Sequence, residues 1–310
     1  LPHSEEKMDA YTAALLRHLE EVAPRCTGHT VDTVYFGGGT PSYLGEKRLT
    51  RLLKTVKKRF HVSPQAEITL EANPDSAGDW KALRNLQRAG FNRLSLGVQA
   101  ADDDLLRRIG RIHTWEQVLE AVAAARMAKL ENLSLDLIYG LPGQTMAAWQ
   151  ETLRAAAALE PQHISCYGLK LEEGTPLWQQ RDTLPLPDDD AQADMYLWTV
   201  SYLAEHGYAQ YEISNFARPG FESRHNLKYW TLSEYAGFGP GAHSDLGGVR
   251  FAYEKDLDAY IAGDLRLSEM EEIPLLDRDL EYIMLSLRTV QGIDSTYFER
   301  QFRQKFRPME

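Results

Sequence analysis

A chain of 310 residues, 43% apolar and 25% charged, has the composition of a packed globular protein and excludes wholesale disorder. Its 34 basic against 45 acidic side chains leave a net charge of −11, which disfavours non-specific binding to a phosphate backbone, so nucleic acid is not an expected partner. Two cysteines, Cys26 and Cys166, stand far apart and exclude a disulfide framework; no apolar run reaches the roughly 18 residues of a membrane-spanning helix, and the expected location is the cytoplasm.

The first helix opens at Ser4, a side chain suited to capping it, and carries Met8, Tyr11, Leu15, Leu19 and Val22 on one stripe. A β-type run, Thr33 to Phe36, ends in Gly37-Gly38-Gly39, where three residues unfavourable inside any element mark a turn. Further strands are predicted over 68–70, 93–96, 133–138 and 163–167. One intervening helix begins at Thr114, with Gln117 completing a capping box and Val118, Ala121, Val122 and Ala125 at helical spacing; another holds Trp149, Leu153 and Ala156. Strands alternating with helices in this way point to parallel βα units. A partial barrel is the expected architecture and a doubly wound sheet the alternative. A helix at the very start predicts one strand ahead of Leu1, and further chain is expected on both sides of the 310 residues.

Beyond Gly174 the texture changes. The Pro- and Asp-rich stretch from Arg181 to Asp190 reads as a connector, a helix is predicted over 191–205, and the aromatic text from Tyr208 to Phe216 reads as a strand lining a cleft. Leu280, Ile283, Met284 and Leu287 share a helical stripe, Gly292 is a candidate C-cap, and Ser295 a candidate start of a last helix. The division is drawn near residue 175, with a barrel over 1–175 and a smaller, mixed and helical region over 176–310.

In parallel βα architectures ligands meet the carboxyl ends of the strands, where loops and helix N-termini converge. Those ends carry Gly37 to Thr40, Glu71, Gln99, Asp136 and Tyr167. Gly38 and Gly39 let a polar head approach backbone amides with no Cβ in the way. No Gly-Lys-Ser/Thr follows the glycines, and their spacing is not that of a dinucleotide-binding fingerprint. Cys26 and Cys166 are expected to be small buried side chains.

Read in order, Val34-Tyr35-Phe36-Gly37-Gly38-Gly39-Thr40-Pro41-Ser42, Leu70-Glu71-Ala72-Asn73-Pro74, Leu96-Gly97-Val98-Gln99, Gly110-Arg111-Ile112-His113 and the run from Asp136 to Thr145 resemble the oxygen-independent coproporphyrinogen III dehydrogenase family of radical S-adenosylmethionine (SAM) proteins. The resemblance implies an α/β fold with a partial (β/α)6-type, TIM-like barrel, its first strand missing here, that binds SAM beside a [4Fe–4S] cluster. It matches Gly38, Gly39 and Thr40 to the glycine motif that meets the methionine end of SAM. Glu71, Gln99, Arg111 and Asp136 match polar positions that hold SAM, Lys170 a further strand-end contact, and His243 a residue that closes over the adenosine. A carboxylate suits an ammonium group or ribose hydroxyls through charge-assisted hydrogen bonds; for Arg111 a surface salt bridge is the alternative. The family's three cysteines, spaced Cys-x3-Cys-x2-Cys, hold three irons of the cubane and leave the fourth for SAM. The present chain begins where the family's text resumes after them, and Cys26 and Cys166 do not replace them. The 310 residues are therefore expected to cleave no SAM reductively, whereas the full-length protein is expected to carry both SAM and cluster.

Two activities compete within that resemblance: oxidative decarboxylation of coproporphyrinogen III, and haem carriage by a chaperone branch. Arg224-His225-Asn226-Leu227-Lys228-Tyr229-Trp230 resembles the His-Asn-x-x-Tyr-Trp signature of the chaperone branch. His225, Asn226, Tyr229 and Trp230 become the haem motif on that reading, with His225 a candidate iron ligand, the two rings suited to stacking on a flat macrocycle, and Lys228 or Arg224 suited to its propionates. The partners implied are haem and apo-haemoproteins, with any membrane contact peripheral and made through the recipient. An ordinary barrel lyase or phosphate-sugar enzyme would require a late phosphate loop, which the sequence does not show.

Overall fold

The structure is a computed structural model, and it describes residues 4–306. In chain order its elements are α1 (Glu5–Val22), β1 (Val31–Phe36), α2 (Glu46–Arg59), β2 (Val62–Ala72), α3 (Trp80–Ala89), β3 (Arg93–Gln99), α4 (Asp103–Arg108), α5 (Trp115–Met127), β4 (Asn132–Tyr139), α6 (Met146–Ala158) and β5 (His163–Gly168). There follow α7 (Pro176–Gln179), α8 (Asp189–Glu205), β6 (Ala209–Glu212), β7 (Asn215–Ala217), α9 (Arg224–Trp230), β8 (His243–Leu246), β9 (Val249–Tyr253), α10 (Leu257–Ile261), β10 (Leu267–Glu272), α11 (Leu275–Ser286) and α12 (Ser295–Phe302).

Local chemistry places many of these ends. The Ser4 hydroxyl accepts from Lys7 N–H at the start of α1, and Thr114 and Gln117 form the reciprocal capping box of α5. Asp188, one residue ahead of α8, and Asp294, ahead of α12, cap those helices.

Seven strands form one sheet in the order β1-β2-β3-β4-β5-β7-β6. Strands β2 to β5 run parallel, whereas β7 and β6 close the series antiparallel. Sequential order from β1 to β5 is that of a barrel wall; a doubly wound sheet would reverse direction at a switch point. The sheet has two edges, β1 and β6, and is an open, partial barrel. The aromatic run at 208–216 is thus a hairpin rather than one strand, with Tyr208, Tyr211 and Phe216 buried.

The chain divides into two compact units that are not contiguous in sequence. The barrel unit holds Tyr35–Glu46 and Glu67–Glu222; the other gathers the described residues of Leu1–Val34, Lys47–Ala66 and Ser223–Glu310.

Within the barrel unit, alternation along each strand separates two chemistries. Leu94, Leu96 and Val98 of β3, Leu133, Leu135 and Leu137 of β4, and Ile164 and Cys166 of β5 are all buried. The opposite phase is polar: Arg93 and Ser95, Ser134 and Asp136, His163 and Ser165. Helices α5 and α6 pack on β3 and β4, and Trp149 of α6, fully buried, donates its indole N–H to Thr199 Oγ1 of α8 at 2.8 Å.

In the other unit β8, β9 and β10 form an antiparallel sheet, and α1 packs against α10. The face of α1 that is buried includes Thr12 and His18 beside Leu16 and Leu19. Ring contacts with Phe238, Tyr253 and Tyr260 surround His18. A second cluster joins Tyr282 of α11 to Phe298 and Phe302 of α12, with Ile283 packed against it. The rest of the predicted α11 stripe faces outward, since Leu280, Met284 and Leu287 are each more than 60% exposed. Cys166 is buried, as expected; Cys26 is only partly so.

Candidate functional site

The strand ends of the barrel unit assemble most of the residues singled out in the sequence. Immediately beyond β1 the chain turns through Gly37, Gly38 and Gly39. Gly38 takes φ +108°, a conformation L side chains rarely adopt, and its N–H donates to Glu71 Oε2 at 3.2 Å. The other Glu71 oxygen accepts the Tyr35 hydroxyl in a short hydrogen bond. Burial raises the Glu71 carboxyl above its ordinary pKa, and burial together with the Glu71 charge raises Tyr35. Glu71 therefore pins the glycine turn to the end of β2.

A Cβ at position 37 would overlap the Tyr35 ring and lie 3.0 Å from Glu71 Cδ, whereas one at position 39 would meet nothing within 4 Å. Gly37→Ala is accordingly expected to lower the melting temperature by about 2–6 °C, with Gly39→Ala close to the parent. Equal melting temperatures for the two variants would contradict this account of the turn.

Thr40 Oγ1 accepts from Asn73 Nδ2 at 3.2 Å, which ties the far side of the turn to the loop after β2. Gln99 ends β3 at a register shift, buried, with φ +66°. A left-handed backbone at a non-glycine residue is strained, and such strain clusters at ligand sites. Arg111 is partly buried and has no ion-pair partner among the described residues, so the surface salt bridge is not formed. Burial lowers its pKa, while Asp75 and Tyr43 pull the other way. A half-buried guanidinium without a direct counter-ion suits a ligand carboxylate.

Asp136, on β4, is gripped from three strands. Ser95 Oγ donates to Oδ2 at 2.9 Å, and Ser134 and Ser165 donate to Oδ1 at 3.1 and 2.8 Å. An ionised carboxylate has about four lone-pair sites. Three are taken, and the remaining one is on Oδ2. Behind Asp136, His163 Nδ1 lies 2.8 Å from Ser134 Oγ and its Nε2 lies 2.8 Å from the Tyr211 hydroxyl.

Two further expected members of this set are exposed. Lys170 is exposed and paired with Glu172 at 2.8 Å. His243 belongs to the other unit, where it sits on β8, exposed, 3.4 Å from Glu269. Tyr167 is 40% exposed at the end of β5.

The other unit carries the His-Asn-x-x-Tyr-Trp segment on α9, capped by the Ser223 hydroxyl, which accepts from Asn226 N–H. His225 Nδ1 is 2.9 Å from Thr33 Oγ1, and its Nε2 is 3.0 Å from the Tyr229 hydroxyl. Tyr229 meets Tyr235 edge-on at 4.9 Å. Lys228 pairs with Asp32 at 2.8 Å and Arg224 donates to the Gln65 carbonyl, so both cations expected at propionates are already engaged. Arg288 lies over the Trp230 ring at 4.5 Å, which leaves that face unavailable for stacking. Of the four motif residues only Tyr229, at 39%, is exposed, and His225 is half-buried.

Sequence reading missed the supporting residues: Tyr35, Asn73, Ser95, Ser134, His163, Ser165 and Thr33. For the barrel set a signal existed. Ser95 repeats the phase of Arg93, Ser134 that of Asp136, and Ser165 that of His163, so each strand alternates a polar with an apolar row.

Residues 5–156 match the Radical SAM superfamily. The chain is 37% identical over 306 residues to the haem chaperone HemW of Lactococcus lactis, covering 97% of this chain and 79% of the relative. It is 36% identical to HemW of Bacillus subtilis, covering 96% and 80%. The chain belongs to the HemW family. Its fold matches coproporphyrinogen III oxidase (HemN) of Escherichia coli, described as a radical SAM enzyme, with a TM-score of 0.84 and 25% identity over 97% of this chain and 73% of that one. The relation to the HemW proteins is closer in sequence than that to the oxidase, in keeping with the motif on α9.

Radical SAM membership implies SAM and a [4Fe–4S] cluster. The HemW-type residues present here meet the two unequally. Donors and acceptors on the barrel strands and their loops, with the Arg111 guanidinium on the loop between α4 and α5, fit SAM. Among the described residues no three His, Cys, Asp or Glu side chains are grouped to hold a metal, so the cluster does not fit what is present.

Proposed function

We propose that this protein is a haem chaperone that binds haem at α9 and delivers it to apo-haemoproteins, with SAM bound at the strand ends of the barrel unit and the [4Fe–4S] cluster carried in the full-length protein. The observation that carries the reading is His225, a half-buried imidazole held by Thr33 on one nitrogen and faced by an exposed tyrosine on the other. Imidazole is a common axial ligand of haem iron, and a second hydrogen bond that orients the ring is a regular companion of metal-ligating histidine. Gly38, Gly39, Thr40, Glu71, Gln99, Arg111 and Asp136 supply the SAM site. Lys170 and His243 are assigned to it as further contacts. No helix among the described residues is long and apolar enough to cross a membrane, and the proposed place of action is the cytoplasm.

Haemin titration followed at the Soret band is the test. Saturable one-to-one binding, weakened about tenfold or more in His225→Ala, is expected, since a lost axial bond removes well over the 1.4 kcal/mol that a factor of ten represents. Absence of saturable binding by the parent chain would remove the chaperone reading and bring oxidative decarboxylation of coproporphyrinogen III forward.

A further inference from the structure

The His225 ring is occupied at both nitrogens, by two hydroxyls of different acidity. A neutral imidazole has one N–H and one lone pair, so one hydroxyl must accept from it and the other donate to it. A phenol, with a pKa near 10, is the stronger donor, and the aliphatic threonine hydroxyl is the better acceptor. The arrangement of lowest energy has His225 Nδ1–H donating to Thr33 Oγ1 at 2.9 Å and the Tyr229 hydroxyl donating to Nε2 at 3.0 Å. The Tyr229 ring stands perpendicular to the imidazole, centroids 5.3 Å apart, and is itself braced edge-on by Tyr235.

We propose that Thr33 is a positioning residue that sets the Nε2 lone-pair tautomer of His225, and that Tyr229 caps that lone pair, so that haem iron must displace the Tyr229 hydroxyl to bind. The inference rests on the haem-chaperone reading and deepens it. Iron takes a lone pair on one ring nitrogen while the other nitrogen donates its N–H, which is the tautomer Thr33 selects. Tyr229 then acts as a competitor built into the same helix, one turn from its histidine. A carrier that must surrender its cargo benefits from an internal group ready to occupy the vacated nitrogen. The motif's tyrosine is thereby assigned to release, and its tryptophan, covered by Arg288, to the fold.

Nitrogen-15 NMR of the histidine-labelled, haem-free chain at about pH 8, where imidazole is neutral, reads the tautomer directly, with the His225 signals assigned by their loss in His225→Ala. The parent is expected to show Nδ1 protonated and Nε2 accepting. Thr33→Val should shift His225 toward the opposite tautomer and weaken haemin binding about two- to tenfold, the worth of one hydrogen bond, while Thr33→Ser restores both. Tyr229→Phe should tighten haemin binding by a similar factor. A protonated Nε2 in the parent, or haemin binding unchanged or weakened in Tyr229→Phe, overturns the proposal. Haemin binding that ignores His225→Ala overturns it while leaving the chaperone reading standing. No haemin binding by the parent or Tyr229→Phe removes the chaperone reading itself and with it the axial role of His225.

Discussion

Asp136→Ala is expected to lower SAM affinity about 10- to 100-fold and to destabilise the fold by roughly 3 kcal/mol. The two effects have separate origins. Stability falls because Ser95, Ser134 and Ser165 lose their shared acceptor at distances of 2.8–3.1 Å, and each orphaned donor costs about 1 kcal/mol. Affinity falls because the carboxylate's one remaining lone-pair site is the one offered to a ligand hydroxyl or ammonium. The hydrogen positions behind Asp136 follow from its charge. Ser134 has a single hydroxyl proton, best spent on the carboxylate, so His163 Nδ1–H donates to Ser134 and the Tyr211 hydroxyl donates to His163 Nε2. His163 is held neutral, its pKa well below the ordinary value through burial and then through the Arg93 charge. Thermal melts and calorimetric SAM titration on the same samples separate the effects, with Asp136→Asn as the variant that keeps the shape and removes the charge. Parent-like SAM affinity in both variants would make Asp136 a purely structural residue of the barrel interior.

The second large effect concerns acid. His18 lies inside a cage of Phe238, Tyr253 and Tyr260, its Nδ1 2.9 Å from the Tyr260 hydroxyl and its buried Nε2 without a hydrogen-bond partner among the described residues. Burial lowers its pKa to about 4. The unfolded chain takes up a proton near pH 6.5, whereas the folded chain resists until about pH 4. The contribution of neutral His18 is thus complete above the unfolded value, is lost as pH falls through the interval between the two, and levels off below the folded value. The expected loss is on the order of 2–3 kcal/mol, allowing for screening. Urea unfolding across that interval, compared with His18→Leu, isolates the term from His113 and His163, whose pKa values burial also lowers. The leucine variant should show a flatter pH profile; an identical profile would refute the assignment.

Some of this protein is written locally. Ser4, the Thr114–Gln117 box and the glycine turn act within a few residues, and the structure places helix starts and a strand end there. The βα alternation carries the barrel, because a period of two against one of 3.6 needs no partner to be read. The polar residues at the ends of β2 and β3, Glu71 and Gln99, are legible for the same reason: in such an architecture the end of a parallel strand is a position known from the chain alone. Asp136, expected at a strand end, instead lies inside β4, which continues to Tyr139.

Tertiary structure decided the rest, because it depends on residues brought together from far along the chain. Arg111 was open between a salt bridge and a ligand contact until burial without an ion pair removed the first. Lys170 read as a strand-end contact, but a free side chain with Glu172 beside it turns to solvent and pairs there. His225 is 192 positions from Thr33, and no local pattern links a threonine in β1 to a histidine on α9. His18 likewise reads as a polar residue on a helix until Phe238, Tyr253 and Tyr260 close around it. Composition and periodicity determine which elements form and which face of each is apolar, since those preferences act over one or two turns. Which polar group meets which is set by sheet order and by the return of the C-terminal segments to α1 and β1, and those long-range closures carry no signal in neighbouring residues.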